Sequence, residues 1–126
     1  MSSLVIFAVN VKALANFYEA VLGIAPLPKP GDSKSDVRLG NEAEELLIHS
    51  IPARIAKTIV IASPPVPREN AAMKPAFNVT SLSAALEQVS SLGGIVTNST
   101  FTLNGLTRHD IVDPEGNVVQ LRSSSL

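Results

Sequence analysis

The side chains in this sequence best suited to chemistry are two histidines, a lysine and a few amides and arginines. His49 stands in ELLIHSI and His109 in LTRHDIV. An unperturbed imidazole titrates near neutrality, so each is a candidate catalytic general base. Asp110 follows His109 directly, but neighbours on a strand point to opposite faces, so these two cannot form a dyad with each other. Lys74 offers a cation, Asn78 and Gln120 offer amides, and Arg122 offers a guanidinium. Gathered on apolar walls, His49, Lys74, Asn78, Gln120 and Arg122 would bind a small organic ligand with a negative or hydrogen-bond-accepting group.

Each of these residues also has a plainer reading. Lys74 follows a proline-rich stretch and could be a solvated ammonium. Arg122, near the end of the sequence, could be a surface charge, and a lone strand histidine such as His109 is more often structural. Asn10 and Asn78 read as residues that turn or cap the chain ahead of helices. EAEE (42–45) reads as a solvated acidic hairpin.

Other chemistries find no support. The chain has no cysteine, which removes disulfides, zinc–thiolate sites and thiol nucleophiles together. There is no nucleophile elbow, and no glycine pattern for dinucleotides or a P-loop. Net charge is −1 without a run of Lys or Arg, which disfavours a nucleic-acid partner. LVIFAV (4–9) is too short to span a bilayer and lacks a basic flank, so a soluble, cytoplasmic protein without a membrane partner is expected. The 126 residues, 17% of them charged, suit one compact domain that needs neither disulfide nor metal to fold.

The elements that must position these residues occur twice. NVKALANFYEAV (10–21) aligns with NVTSLSAALEQV (78–89), matching Asn10, Val11, Leu14, Glu19 and Val21 to Asn78, Val79, Leu82, Glu87 and Val89. Leu14, Phe17, Tyr18, Val21 and Leu22 repeat at helical spacing, as do Leu82, Ala85, Leu86, Val89 and Leu92. Gly23 and Gly93–Gly94 end the two helices. Thr80 or Ser81 caps the second, while the first has no comparably clear cap.

A β-prone run precedes each helix (4–11 and 75–79), and others follow it (35–40 and 44–51, then 94–98, 106–112 and 117–123). The fold class is therefore α+β with mostly antiparallel sheets. Residues 1–126 read as a single domain: a module at 1–51, a linker at 52–71 and a module at 72–126. Within the linker, PARIAKTIVIA fits helix or strand, and SPPVPREN is an extended connector.

FYEAVLG (17–23) closing the first helix and DPEGN (113–117) opening the last strand resemble the vicinal oxygen chelate superfamily. This group includes glyoxalase I, extradiol dioxygenases and the fosfomycin- and bleomycin-resistance proteins, with a bacterial glyoxalase-like subgroup. The resemblance implies two tandem βαβββ modules whose curved sheets form a cup, and a homodimer. In catalytic members it implies a divalent metal held by side chains from the first and last strand of each module.

Carried onto this sequence, those ligand positions fall at Ile6, His49, Lys74 and Gln120. Isoleucine cannot bind a metal, a protonated lysine repels one, and an amide is a weak ligand. No metal or other cofactor is therefore expected. The resemblance turns the Gln120 face inward, and the repeat then places Ile6, Ala8 and Asn10 inward beside Lys74, Ala76 and Asn78. His49, Leu47 and Ile51 join them, and DPEGN is read as a structural turn. The expected function is metal-independent binding of a small molecule. The alternatives are a divergent lyase, isomerase or dioxygenase using His49 or His109, and a non-catalytic dimerisation module.

Overall fold

The computed structural model describes residues 2–68 and 71–125. Glu69 and Asn70, at the end of the expected linker, lie outside the described residues.

The first half runs β1 (Ser2–Ala8), α1 (Val11–Leu22), β2 (Ala25–Pro26), β3 (Val37–Gly40) and β4 (Glu44–Ser50). The second runs β5 (Ala76–Asn78), α3 (Leu82–Ser91), β6 (Ile95–Leu103), β7 (Leu106–Val112) and β8 (Val118–Ser123). One short helix, α2 (Ala53–Ala56), lies between them, so the helical reading of PARIAKTIVIA holds for a single turn. The sheets have orders β1-β4-β3-β2 and β5-β8-β7-β6. In each, the first strand pairs in parallel with the last and the other pairs are antiparallel. The βαβββ unit thus occurs twice. Its least legible member is the two-residue β2, too short to carry an alternation pattern.

The helices bury the faces that their spacing marks. Leu14, Phe17, Tyr18 and Val21 of α1 are buried, as are Leu82, Ala85 and Val89 of α3. The two helices pack on each other, and one apolar cluster joins them to Leu39, Leu46 and Ile48 of the first sheet and Ile111, Val119 and Leu121 of the second. Gly94 makes this approach possible: a Cβ there would stand 2.7 Å from both the Phe17 ring and the Val112 carbonyl.

α1 does have an N-cap, since Asn10 accepts a hydrogen bond from the Ala13 amide at 3.1 Å. Ser81 caps α3 through the Ala84 amide at 3.3 Å. Asn78 ends β5 and caps nothing in this way, so the counterpart of Asn10 is Ser81, three residues beyond the sequence match. A slip of three keeps a helix face, because positions three or four apart share it. A strand allows no such error, because an odd slip exchanges its two faces.

The expected inward set of β1 is corrected on this ground. Ala8 is fully buried in the helix-side core, with Leu4 and Ile6 packed against it. Val5 and Phe7, at 48% and 61% exposure, occupy the opposite, open face. In β5 the buried residue is Phe77, which leaves Lys74, Ala76 and Asn78 for the open face as expected. On β4 and β8 the register also matches: Leu46, Ile48, Val119 and Leu121 are buried, so Leu47, His49, Gln120 and Arg122 face away from the helices.

The DPEGN turn fastens the halves together. Buried Asp113 accepts the Tyr18 hydroxyl at 2.6 Å, the Glu115 and Asn117 amides, and the Asn117 side chain. Glu115 reaches from this turn to the β1–α1 junction, accepting the Val9 and Asn10 amides at 2.8 Å each. Gly116 takes φ +90, and a Cβ there would meet the Val66 carbonyl at 2.6 Å.

Among the described residues no helix is long and apolar enough to cross a membrane. Replacing Glu115 with Ala leaves two amides without their acceptor. It should lower stability by about 2–3 kcal/mol in urea denaturation, whereas an unchanged midpoint would show that the clamp contributes nothing.

Candidate functional site

β1 and β5 are edge strands of different sheets and share no hydrogen-bonded ladder, and a cleft opens along the seam between β1 and the segment leading into β5. It has a volume of about 330 Å³, with walls that include Val5, Phe7, Ile51, Met73, Pro75 and Val118. Tyr18 lies at its base, and Arg68 and Asn117 add polar groups. Burial, and then the charge of Asp113, pushes the Tyr18 phenol well above its ordinary pKa, so the hydroxyl stays protonated and keeps donating to Asp113.

The open face of the second sheet carries a polar chain. Lys74 Nζ stands 2.7 Å from Asp110 Oδ2. Gln120 Nε2 donates to Asp110 Oδ1 at 3.4 Å, and Arg108 Nη1 donates to Gln120 Oε1 at 3.3 Å. Arg122 is the cross-strand partner of Arg108, and Asn78 that of Arg122. Lys74, Gln120, Arg122 and Asn78 therefore share one face, as their spacing predicts. Arg108 and the Lys74 partner Asp110 belong to the same group; strand alternation along RHD contained this signal, because Arg108 and Asp110 are two apart.

His49 is on the other sheet. Its Nδ1 lies 2.8 Å from Asp36 Oδ2, while Asp36 Oδ1 accepts the Ser50 amide at 2.9 Å. The edge of Phe7 contacts the imidazole, with ring centroids 5.4 Å apart. The Ser50 amide, followed by His49, holds the Asp36 carboxyl below its ordinary range despite burial. The carboxylate thus accepts, Nδ1 carries the proton, and Nε2 remains the basic atom. Asp36 precedes β3 and has no spacing relation to His49, so no local signal announced it.

His109 lies elsewhere again. It pairs across the ladder with core residue Leu121, and its Nε2 sits 2.6 Å from the Thr97 carbonyl. Thr97 lies where the β6–β7 register shifts, so His109 ties down a bulge.

The residues do not fit a divalent metal. The open face of β1 presents Val5 and Phe7, neither a ligand, and Lys74 already places an ammonium on the nearby carboxylate. Among the described residues no group of three or more His, Cys, Asp or Glu could hold an ion.

Two βαβββ units with an open-faced sheet apiece define a protein of the vicinal oxygen chelate superfamily, and comparison with known proteins agrees. The model of the glyoxalase-like domain family matches residues 3–122, and the chain belongs to that family. A glyoxalase/bleomycin resistance protein/dioxygenase family enzyme from Burkholderia phytofirmans is similar at TM-score 0.70 and 16% identity, covering 98% of this chain and 97% of the other. A glyoxalase/bleomycin resistance protein from Albidiferax ferrireducens is similar at 0.68 and 17%, over 98% and 97%. A lactoylglutathione lyase from Agrobacterium tumefaciens is similar at 0.57 and 20%, over 98% and 92%. These likenesses establish the fold. No curated protein matches the sequence.

The Asp36–His49 geometry predicts an Nδ1–H tautomer for neutral His49. Long-range proton–nitrogen spectra should show it, and Asp36→Ala should abolish the preference; an Nε2–H tautomer in the parent protein would contradict the pairing. Because the folded pKa of Asp36 is lowered, the pair stabilises the fold above the ordinary aspartate range. That contribution is lost as pH falls through the folded value.

Proposed function

We propose that this protein binds a small organic molecule in the seam cleft, as a homodimer and without a divalent metal. The observation that carries the reading is the cleft itself. It is apolar, open and within the size range of small-molecule sites, with a few polar groups at its margin. A module serving only for dimerisation would be expected to fill this space with side chains. The unfit donor set supports metal independence. The exposed apolar residues Phe101 and Leu103 on the edge strand β6 support pairing with a second copy.

Native mass spectrometry with elemental analysis tests the assembly and the metal together. A dimer without stoichiometric metal is expected, and one tightly held ion per chain would overturn metal independence. The neutral dye Nile red tests the cleft. The parent protein should bind it saturably, and Val5→Glu should weaken binding at least tenfold while the fold is retained, because Val5 is 48% exposed. Equal binding by both proteins would remove the cleft from the proposal.

A second reading, a divergent lyase or isomerase, is favoured by one specific observation, the Asp36–His49 pair with its basic Nε2. On an identified substrate, His49→Gln should lower kcat at least 100-fold, within the usual contribution of a general base. An unchanged kcat would reject His49 as that base.

A further inference from the structure

The sequence holds two sulfur atoms, in Met1 and Met73, and has neither cysteine nor tryptophan. Met1 lies outside the described residues. Among the described residues, Met73 is therefore the side chain that readily takes an oxygen atom from a hydroperoxide. It belongs to the irregular segment leading into β5, two residues ahead of Pro75. It is 85% exposed, and it also lines the cleft. One residue thus meets solvent, where an oxidant arrives, and walls the space in which an apolar ligand would lie.

That combination is particular to Met73. Among the described large apolar side chains only Val60 is more exposed, and Val60 does not line this cleft. An unbranched thioether adapts to bodies of different shape, so methionine suits the wall of an apolar site. Its neighbours along the cleft include Val5, Phe7, Ala71 and Pro75, all apolar. Arg68 apart, the polar side chains lining the cleft already direct their donors to Asp113: the Tyr18 hydroxyl and Asn117 Nδ2. A polar oxygen added to Met73 would find few partners there.

We propose that Met73 is an oxidation site and that its sulfoxide lowers the affinity of the cleft for apolar ligands. A sulfur lone pair attacks the terminal oxygen of a hydroperoxide, an S–O bond forms and the O–O bond breaks. The sulfur loses two electrons and the peroxide gains them. The proton of the transferred oxygen passes to the departing one, which leaves as water or an alcohol. Covering the sulfoxide with an apolar body strips its oxygen of water, which costs free energy. A ligand already seated covers the sulfur and shields it. Methionine sulfoxide reductases reverse the change. This assignment rests on the reading of the seam as a binding cleft.

Hydrogen peroxide applied to the full chain, followed by peptide mass mapping and Nile red titration, tests it. Met73 should gain one oxygen, and the dye should then bind about fivefold more weakly. Treatment with methionine sulfoxide reductases should restore the parent affinity, and saturating dye should slow the oxidation of Met73. In Met73→Leu, treated and untreated protein should share one affinity, whatever its value. An unoxidised Met73 would overturn the site, as would undiminished oxidation under saturating dye or an equal loss of binding in treated Met73→Leu. Nile red separates the two ideas. Equal binding by the reduced and oxidised parent retains the cleft and overturns the effect of oxidation, whereas no saturable binding by either rejects the cleft reading and this assignment with it.

Discussion

The structure depends on two carboxylates in one turn. Asp113 and Glu115 leave the second module and bind Tyr18, Val9 and Asn10 of the first. Neither sheet offers a ladder to the other, so helix packing and these bonds set how the modules meet. Both acids are buried, at 0% and 5% exposure, and at such depth an unpartnered carboxylate would be costly. Asp113 is instead surrounded by amides and the Tyr18 hydroxyl, and Glu115 accepts two backbone amides. The turn thereby fixes the entry of α1, and α1 places Tyr18 at the base of the cleft. Sequence patterns alone read DPEGN as a local turn. Its long-range bonds span about a hundred positions, and no local pattern reports such distances.

The sequence revealed the repeat, both helices and most of the strands, because apolar periodicity is written directly into residue types. The inward faces of β4, β5 and β8 came instead from the family resemblance and the repeat, since ELLIHSI in β4 is apolar on both faces. The same reading misassigned β1, where Leu4, Val5, Ile6 and Phe7 are apolar on both faces and carry no alternation to correct the register. The repeat then became the only guide, and it had been aligned on helices, which tolerate a shift that strands do not. Of the site residues, Lys74, Gln120, Asn78 and Arg122 do share a face. His49 does not share their sheet, and its partner Asp36 comes from a loop whose course local spacing does not encode.

The polar groups of the open faces differ in how completely they are engaged. Lys74, Asp110 and Gln120 satisfy one another, which makes them a rigid floor and leaves little capacity for a ligand. His49 is oriented by a carboxylate through Nδ1 alone. Arg108 and Arg122 are the least satisfied, since each leaves a buried Nε without a hydrogen-bond partner.

The open seam sets how selective such a protein can be. Its two banks belong to different sheets, and no ladder hydrogen bond ties them across the gap. Its breadth is governed by side-chain packing beneath, where Phe17 meets Gly94 and α1 meets α3. Small changes of girth therefore cost van der Waals contact and not backbone pairing. A ligand held there as proposed would meet an adjustable slot that discriminates poorly between similar bodies.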